Sequence, residues 1–171
     1  MLLEAGLIRE KADYMNWYVL YTKPRWEKKA AVDLEKMGIE VFCPMVTTVR
    51  QWSDRKKKVS TPLFTSYVFV RLKEKDRSLV FDSPGVVRYL YWLGKPAIVR
   101  DEEIRTIEEW LNDDDYQDVQ VKSFKPGEKV QINSGIMKGK TGIVKEVGKK
   151  EIRLVLESLG YVVTTKIKEV Q

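Results

Sequence analysis

The segment Ser66-Tyr67-Val68-Phe69-Val70-Arg71-Leu72 limits the possible folds more than any other part of the chain. It is rich in β-branched and aromatic residues and too continuously apolar for one face to lie fully in water. It therefore predicts a central strand, or a strand that forms half of a docking surface.

Trp17-Tyr18-Val19-Leu20-Tyr21 reads as a second strand, and Thr22-Lys23-Pro24 then places a proline where a helix can open. From residue 25 to 37, Trp26, Ala30, Ala31, Leu34 and Met37 recur near the helical period, while Lys28, Lys29, Asp33 and Lys36 take other faces. Gly38 supplies a stop. Trp17 and Trp26 are expected in the core. Residues 39–44 predict a short strand containing Cys43, read as a buried strand residue with no catalytic role. Residues 46–60 form a polar excursion carrying Arg50, Arg55, Lys56, Lys57 and Lys58, expected as an exposed hairpin or loop. Strands follow at 86–92 and 97–99, then a helix opened by Asp101 with Glu102 and Glu103 against its dipole and Ile104, Ile107, Trp110 and Leu111 facing inward.

The acidic, weakly patterned stretch 112–123 is expected as a surface linker. Beyond it, short strands at 130–132, 141–147, 152–156 and 161–167 alternate with glycines at 135, 139, 142, 148 and 160. That spacing predicts a small, strongly bent β-barrel. The expected organisation is an extension at 1–15, an α+β domain with an antiparallel sheet at 16–111, the linker at 112–123 and the barrel at 124–171.

Composition narrows the function. The chain has no histidine and a single cysteine among 171 residues, so the commonest proton-transfer side chain and any Cys/His zinc cage are missing. Asp113, Asp114 and Asp115 are sequence neighbours and do not converge on one ion. No catalytic residue, metal or cofactor is expected. No stretch has the apolar length of a membrane span or the core of a signal peptide, and the expectation is a cytoplasmic protein without a membrane partner. The net charge is +6, and of 31 basic and 25 acidic side chains, 11 and 5 fall in 122–171. The whole excess lies in the C-terminal third, which points to an acidic partner there.

The pattern Pro126-Gly127-Glu128-Lys129-Val130, with Gly135, Gly139, Gly142 and Val144, resembles a KOW motif. Residues 17–21, Pro44-Met45, Pro62-Leu63-Phe64, Tyr67-Val68-Phe69-Val70 and Ala97-Ile98-Val99 resemble the N-terminal domain of the NusG family. Both halves occur in family order. The Pro-Leu-Phe block is closer to the specialised RfaH and UpxY antiterminators than to the housekeeping factor. The resemblance implies a non-enzymatic, monomeric elongation and antitermination factor whose α/β sandwich docks on the clamp helices of the RNA polymerase β′ subunit and reaches toward β. In the UpxY group the implied targets are surface polysaccharide operons.

Carried onto this chain, the clamp-facing positions are Tyr21, Phe64, Tyr67 and Phe69, with Ile104 and Ile107 from the following helix; strand aromatics are equally core candidates. Asp76-Arg77-Ser78 falls where the family contacts the β gate loop, and also reads as a solvated turn. Lys23, Arg25, Lys29 and Lys36 are the candidate contacts to non-template DNA, with a base stacking near Trp26 and the alternative of a plainly solvated helix face. For the barrel the implied partners are NusE or Rho, through Ile132, Ile136, Met137 and Leu159. Its glycines disfavour a helix by about 1 kcal/mol each, and Thr61 replaces the acidic residue of the RfaH-like domain contact, so an autoinhibited helical form is not expected. The competing reading is a KOW-type RNA-binding module related to ribosome assembly, recognised by tight, salt-dependent RNA binding.

Overall fold

In the computed structural model, which describes residues 14–123, 144–147 and 151–167, the two most apolar segments of the N-terminal half pair with each other. β1 (Met15–Thr22) runs antiparallel to β5 (Tyr67–Lys73), with Val19 opposite Phe69 and Tyr21 opposite Tyr67. β2 (Glu40–Phe42) adds to the other edge of β5, while β6 (Val86–Tyr89) and β9 (Ile98–Val99) share the free edge of β1. All five strands are antiparallel. The described residues divide into two compact units, 14–43 with 65–100, and 44–64 with 101–167.

The first unit holds this sheet. Side chains alternate across a strand, so Tyr18 and Leu20 of β1 share one face with Val70 and Leu72 of β5. These pack with Ala30 and Leu34 of helix α1 (Glu27–Lys36) and with Val80, Val86 and Tyr89. Leu34 is fully buried, a transfer worth about 2 kcal/mol. The helix is shorter than its hydrophobic period because Arg25 takes φ 66 and Trp26 acts as the N-cap. Trp26, expected in the core, is only half-buried, whereas Trp17 is buried as expected.

A 3-10 stretch, Glu74–Asp82, drops Val80 into the core. It also sets the Arg77 guanidinium 5.8 Å from the Tyr18 ring and 5.5 Å from the Tyr89 ring, while the Tyr89 hydroxyl donates to the Arg77 carbonyl at 2.6 Å. Arg77 thus serves the fold, and the segment 76–78 is more than a solvated turn. The strand expected at 86–92 stops at Tyr89. The chain then leaves the sheet as a small hairpin of β7 (Tyr91–Trp92) and β8 (Lys95–Pro96).

The second unit contains the hairpin of β3 (Met45–Gln51) and β4 (Lys56–Pro62), whose residues 47–58 are all exposed. Helix α2 (Asp101–Asn112) buries Ile104, Ile107 and Trp110, spaced at the helical repeat, together with Glu103. Four strands, β10 (Tyr116–Ser123), β11 (Val144–Val147), β12 (Glu151–Leu156) and β13 (Tyr161–Ile167), form an antiparallel sheet in the order β10-β13-β12-β11. Its buried side includes Leu154, Leu156 and Val163.

β10 occupies most of the stretch expected as a linker. The register against β13 shifts between Gln117 and Gln120, where Asp118 adopts φ 52. A bulge of this kind breaks the period-2 alternation by which a strand is recognised, and the acidic residues before it hide the remainder. The strand expected at 130–132 and the glycines at 135, 139, 142 and 148 lie outside the described residues. The architecture is mixed α and β with antiparallel sheets.

Candidate functional site

The face of the first sheet opposite α1 carries Trp17, Val19 and Tyr21 from β1, Tyr67, Phe69 and Arg71 from β5, and Phe42 and Glu40 from β2, by strand alternation and register. Val19 and Phe69 are fully buried and Trp17 nearly so. The Phe42 ring lies 6.4 Å from Trp17 and 5.9 Å from Phe69. At the other end of this face the rings change character. Tyr21 and Tyr67 are half-buried and meet edge to face at 5.8 Å, and the Arg88 guanidinium of β6 sits 5.2 Å from the Tyr21 ring. A T-shaped pair places the positive ring edge of one partner against the negative face of the other, and the cation is drawn to the same π density. The result is a Tyr-Tyr-Arg cluster in partial contact with solvent.

The entrance to β5 is built by a buried carboxylate. Glu27, in the first turn of α1, accepts a 2.7 Å hydrogen bond from the Ser66 backbone N–H, and Thr22 donates its N–H to the Ser66 carbonyl at 2.8 Å. Ser66 itself has φ 65, a conformation sparsely populated outside glycine. These bonds hold it there and aim Tyr67. Sequence reading placed the tyrosines but missed the roles of Glu27, Ser66 and Arg88, because the bond from Ser66 to Glu27 joins residues 39 apart in sequence and no local pattern announces it.

Three of the six clamp-facing candidates, Tyr21, Tyr67 and Phe69, therefore share one sheet face. Phe64, Ile104 and Ile107 belong to the second unit and are buried there, the Phe64 ring lying 5.9 Å from that of Tyr161. Cys43 follows β2 in a half-buried position. Burial above all, with the nearby Glu27 and Glu35 carboxylates, pushes its thiol up to about 11.

The four candidate DNA-contacting cations, two before α1 and two on it, divide. Lys23 and Lys29 hold their ammonium groups 5.2 and 4.2 Å from the Trp26 ring. Arg25 is exposed between them in sequence, and Lys36 is exposed two turns beyond Lys29 on the same side of the helix. Gly85 makes the seat for this ring: a Cβ there would meet Trp26 Cε3 at 3.0 Å and the Ala30 Cβ at 3.2 Å. On the β3–β4 hairpin, Lys57 lies 5.1 Å from the exposed Trp52 ring and stands directly opposite Arg50 in the register.

In the second unit, a cavity of about 370 Å³ lies among the base of β3–β4, the end of α2 and β10, lined by residues including Thr47, Trp110, Tyr116 and Gln120. Of the barrel candidates, Leu159 is half-buried in a 3-10 turn, while Ile132, Ile136 and Met137 lie outside the described residues. No helix among the described residues is long and apolar enough to cross a membrane.

The family model described as transcription termination factor nusG matches residues 15–108. The transcription termination/antitermination protein NusG of Halalkalibacterium halodurans is 27% identical over 146 residues, 77% of this chain and 82% of that protein. The NusG of Escherichia coli K12 is 27% identical over 156 residues, covering 84% and 86%. A solved structure of Thermotoga maritima NusG aligns at 25% identity and a TM-score of 0.41, covering 92% of this chain and 99% of that one. With the family match running from β1 into α2, across the sheet and the aromatic cluster described above, the chain belongs to the NusG family of transcription termination and antitermination factors.

Proposed function

We propose that this chain is an elongation and antitermination factor that docks on the β′ clamp helices of RNA polymerase through the aromatic end of its N-terminal sheet. The observation that carries the proposal is the half-exposed Tyr21–Tyr67 pair with Arg88. Aromatic side chains and arginine dominate the energetics of protein interfaces, and the three side chains lie together at one partly exposed end of the sheet. Phe69 acts beneath the pair as its packing support. Direct contact by Phe64, Ile104 and Ile107, all buried here, requires that the partner uncover them.

In this reading Lys23, Arg25, Lys29 and Lys36 approach the non-template strand, their ammonium and guanidinium groups neutralising phosphates beside Trp26. Residues 124–171 form the KOW barrel, and Ile132, Ile136, Met137 and Leu159 receive NusE or Rho. The factor acts in the manner of the RfaH and UpxY antiterminators, with surface polysaccharide operons as targets and the β subunit as its second polymerase contact.

The test is binding of the full chain to purified bacterial RNA polymerase, with a β′ clamp-helix peptide as competitor. Competed binding supports the proposal; uncompeted or absent binding defeats it. The charge excess of residues 122–171 favours a second reading, a KOW-type RNA module. It predicts tight RNA binding without polymerase, falling steeply with salt.

A further inference from the structure

The β7–β8 hairpin is an excursion that the sheet does not need. Leu90 donates its N–H to the Val19 carbonyl at 2.8 Å, and the returning chain donates the Ala97 N–H to the Leu90 carbonyl at 2.8 Å. The sheet edge is thus closed on both sides of residues 91–96. The hairpin pairs Tyr91 with Pro96 and Trp92 with Lys95, and its two turn residues, Leu93 and Gly94, take φ 52 and 76. Two positive φ values in a two-residue loop are the pattern of a type I′ turn, which favours Asn, Asp or Gly. A leucine there is held against its steric preference.

Burial does not compensate that strain. Leu93 is 79% exposed, Tyr91 56% and Trp92 43%. Backbone strain combined with three adjacent exposed apolar side chains is what a contact site leaves in a structure.

Charge selects the occupant. The hairpin itself, residues 91–96, carries one charged side chain, Lys95, and no carboxylate, a charge that matches an anionic group on the partner. Consecutive strand residues face opposite sides; Tyr91 and Trp92 therefore present separate ring faces. Lys95, the register partner of Trp92, stands on the same side as that ring. An exposed aromatic face with an ammonium beside it suits a nucleotide, with the base stacked on the ring and the phosphate on the cation. In a duplex the base faces are already stacked and unavailable. We propose that the β7–β8 hairpin binds single-stranded nucleic acid, with Trp92 and Tyr91 as stacking platforms, Lys95 as the phosphate contact and Leu93 as a rigid apex between bases. The site is separate from Trp26 and its lysines, and it requires no polymerase.

The experiment is fluorescence anisotropy of the full chain with a labelled single strand of about 12 nucleotides and with the matching duplex. The single strand should bind more tightly. Trp92→Ala and Tyr91→Ala should each weaken single-strand binding on the order of ten-fold without lowering the thermal midpoint, because both rings are exposed. Lys95→Gln should reduce the salt slope by about one phosphate contact, while Leu93→Asn, suited to positive φ, keeps the turn and tests the apex. Wild-type affinity in both aromatic variants overturns the proposal. So does equal weakening toward strand and duplex, which marks a simple polyanion surface. If these variants lose polymerase binding but keep oligonucleotide affinity, the hairpin is a protein contact and the proposal fails, whereas the polymerase reading stands.

Discussion

Glu27 Oε1 accepts the Ser66 backbone N–H at 2.7 Å across thirty-nine residues of sequence, tying the first turn of α1 to the entrance of β5. Both residues are buried, so the bond is shielded from water, and the group left behind by its loss would be an unpaired buried donor. Glu27→Ala should therefore destabilise the protein by about 2 kcal/mol. Glu27→Gln, which keeps an acceptor oxygen, should cost less. Urea denaturation of the two variants checks this; equal losses would mean that helix packing, not the bond, is what the side chain supplies.

Tyr67 sits one residue beyond that anchor and is half-buried. Its edge-to-face contact with Tyr21 is worth about 1 kcal/mol, so Tyr67→Ala should cost little stability. Polymerase binding should fall at least ten-fold in the competition assay, given the usual weight of a central aromatic. A collapse of stability with binding per folded molecule unchanged would make Tyr67 a core residue.

Arg50 and Lys57 stand opposite each other across β3–β4, two like charges at one register position in the exposed part of the hairpin. Such pairs are destabilising until an anion screens them. Arg50→Glu, which leaves the Lys57 contact with Trp52 in place, should stabilise the hairpin by about 0.5 kcal/mol while weakening DNA or RNA binding. Opposite movements of the thermal midpoint and of oligonucleotide affinity are the expected result. Unchanged affinity would show that the hairpin's charge takes no part in nucleic-acid binding.

Cys43 should be a slow thiol. Its ordinary value of 9.0 is raised to about 11, mainly by burial and secondarily by Glu27 and Glu35. Between those two values the unfolded chain releases a proton that the folded chain keeps, so stability falls as pH rises through this window and this group contributes no slope below it. Reaction with a disulfide reagent at pH 8 should be slower in the folded protein than in denaturant, and Cys43→Ser should flatten the stability profile between pH 9 and 11. Equal rates would show that the thiol is open to solvent.

Local pattern was enough for much of the fold. The apolar runs at 17–21 and 66–72, the helical repeat around Ala30 and Leu34, the repeat of Ile104, Ile107 and Trp110, and the basic excursion at 50–58 each declare an element through side chains close together in sequence. β10 was hidden because the bulge at Asp118 breaks its alternation. The break at Leu90 was hidden because residues 86–92 are continuously strand-like, and only the turn at Leu93-Gly94 and the hydrogen bonds to Val19 and Ala97 end the strand.

The residues available for contact were legible in the sequence: Tyr21 and Tyr67 on strands, Lys23 and Lys29 beside Trp26. Their state was not. Tertiary structure decided that Phe69 is fully buried while Tyr67, two residues earlier on the same face, stays half-open; that Arg88 meets Tyr21; and that Glu27 holds Ser66. The reason is physical. Periodicity records which side of an element a residue faces, but burial and partnership depend on what distant segments bring to that side, and a single strand carries no record of its register with another.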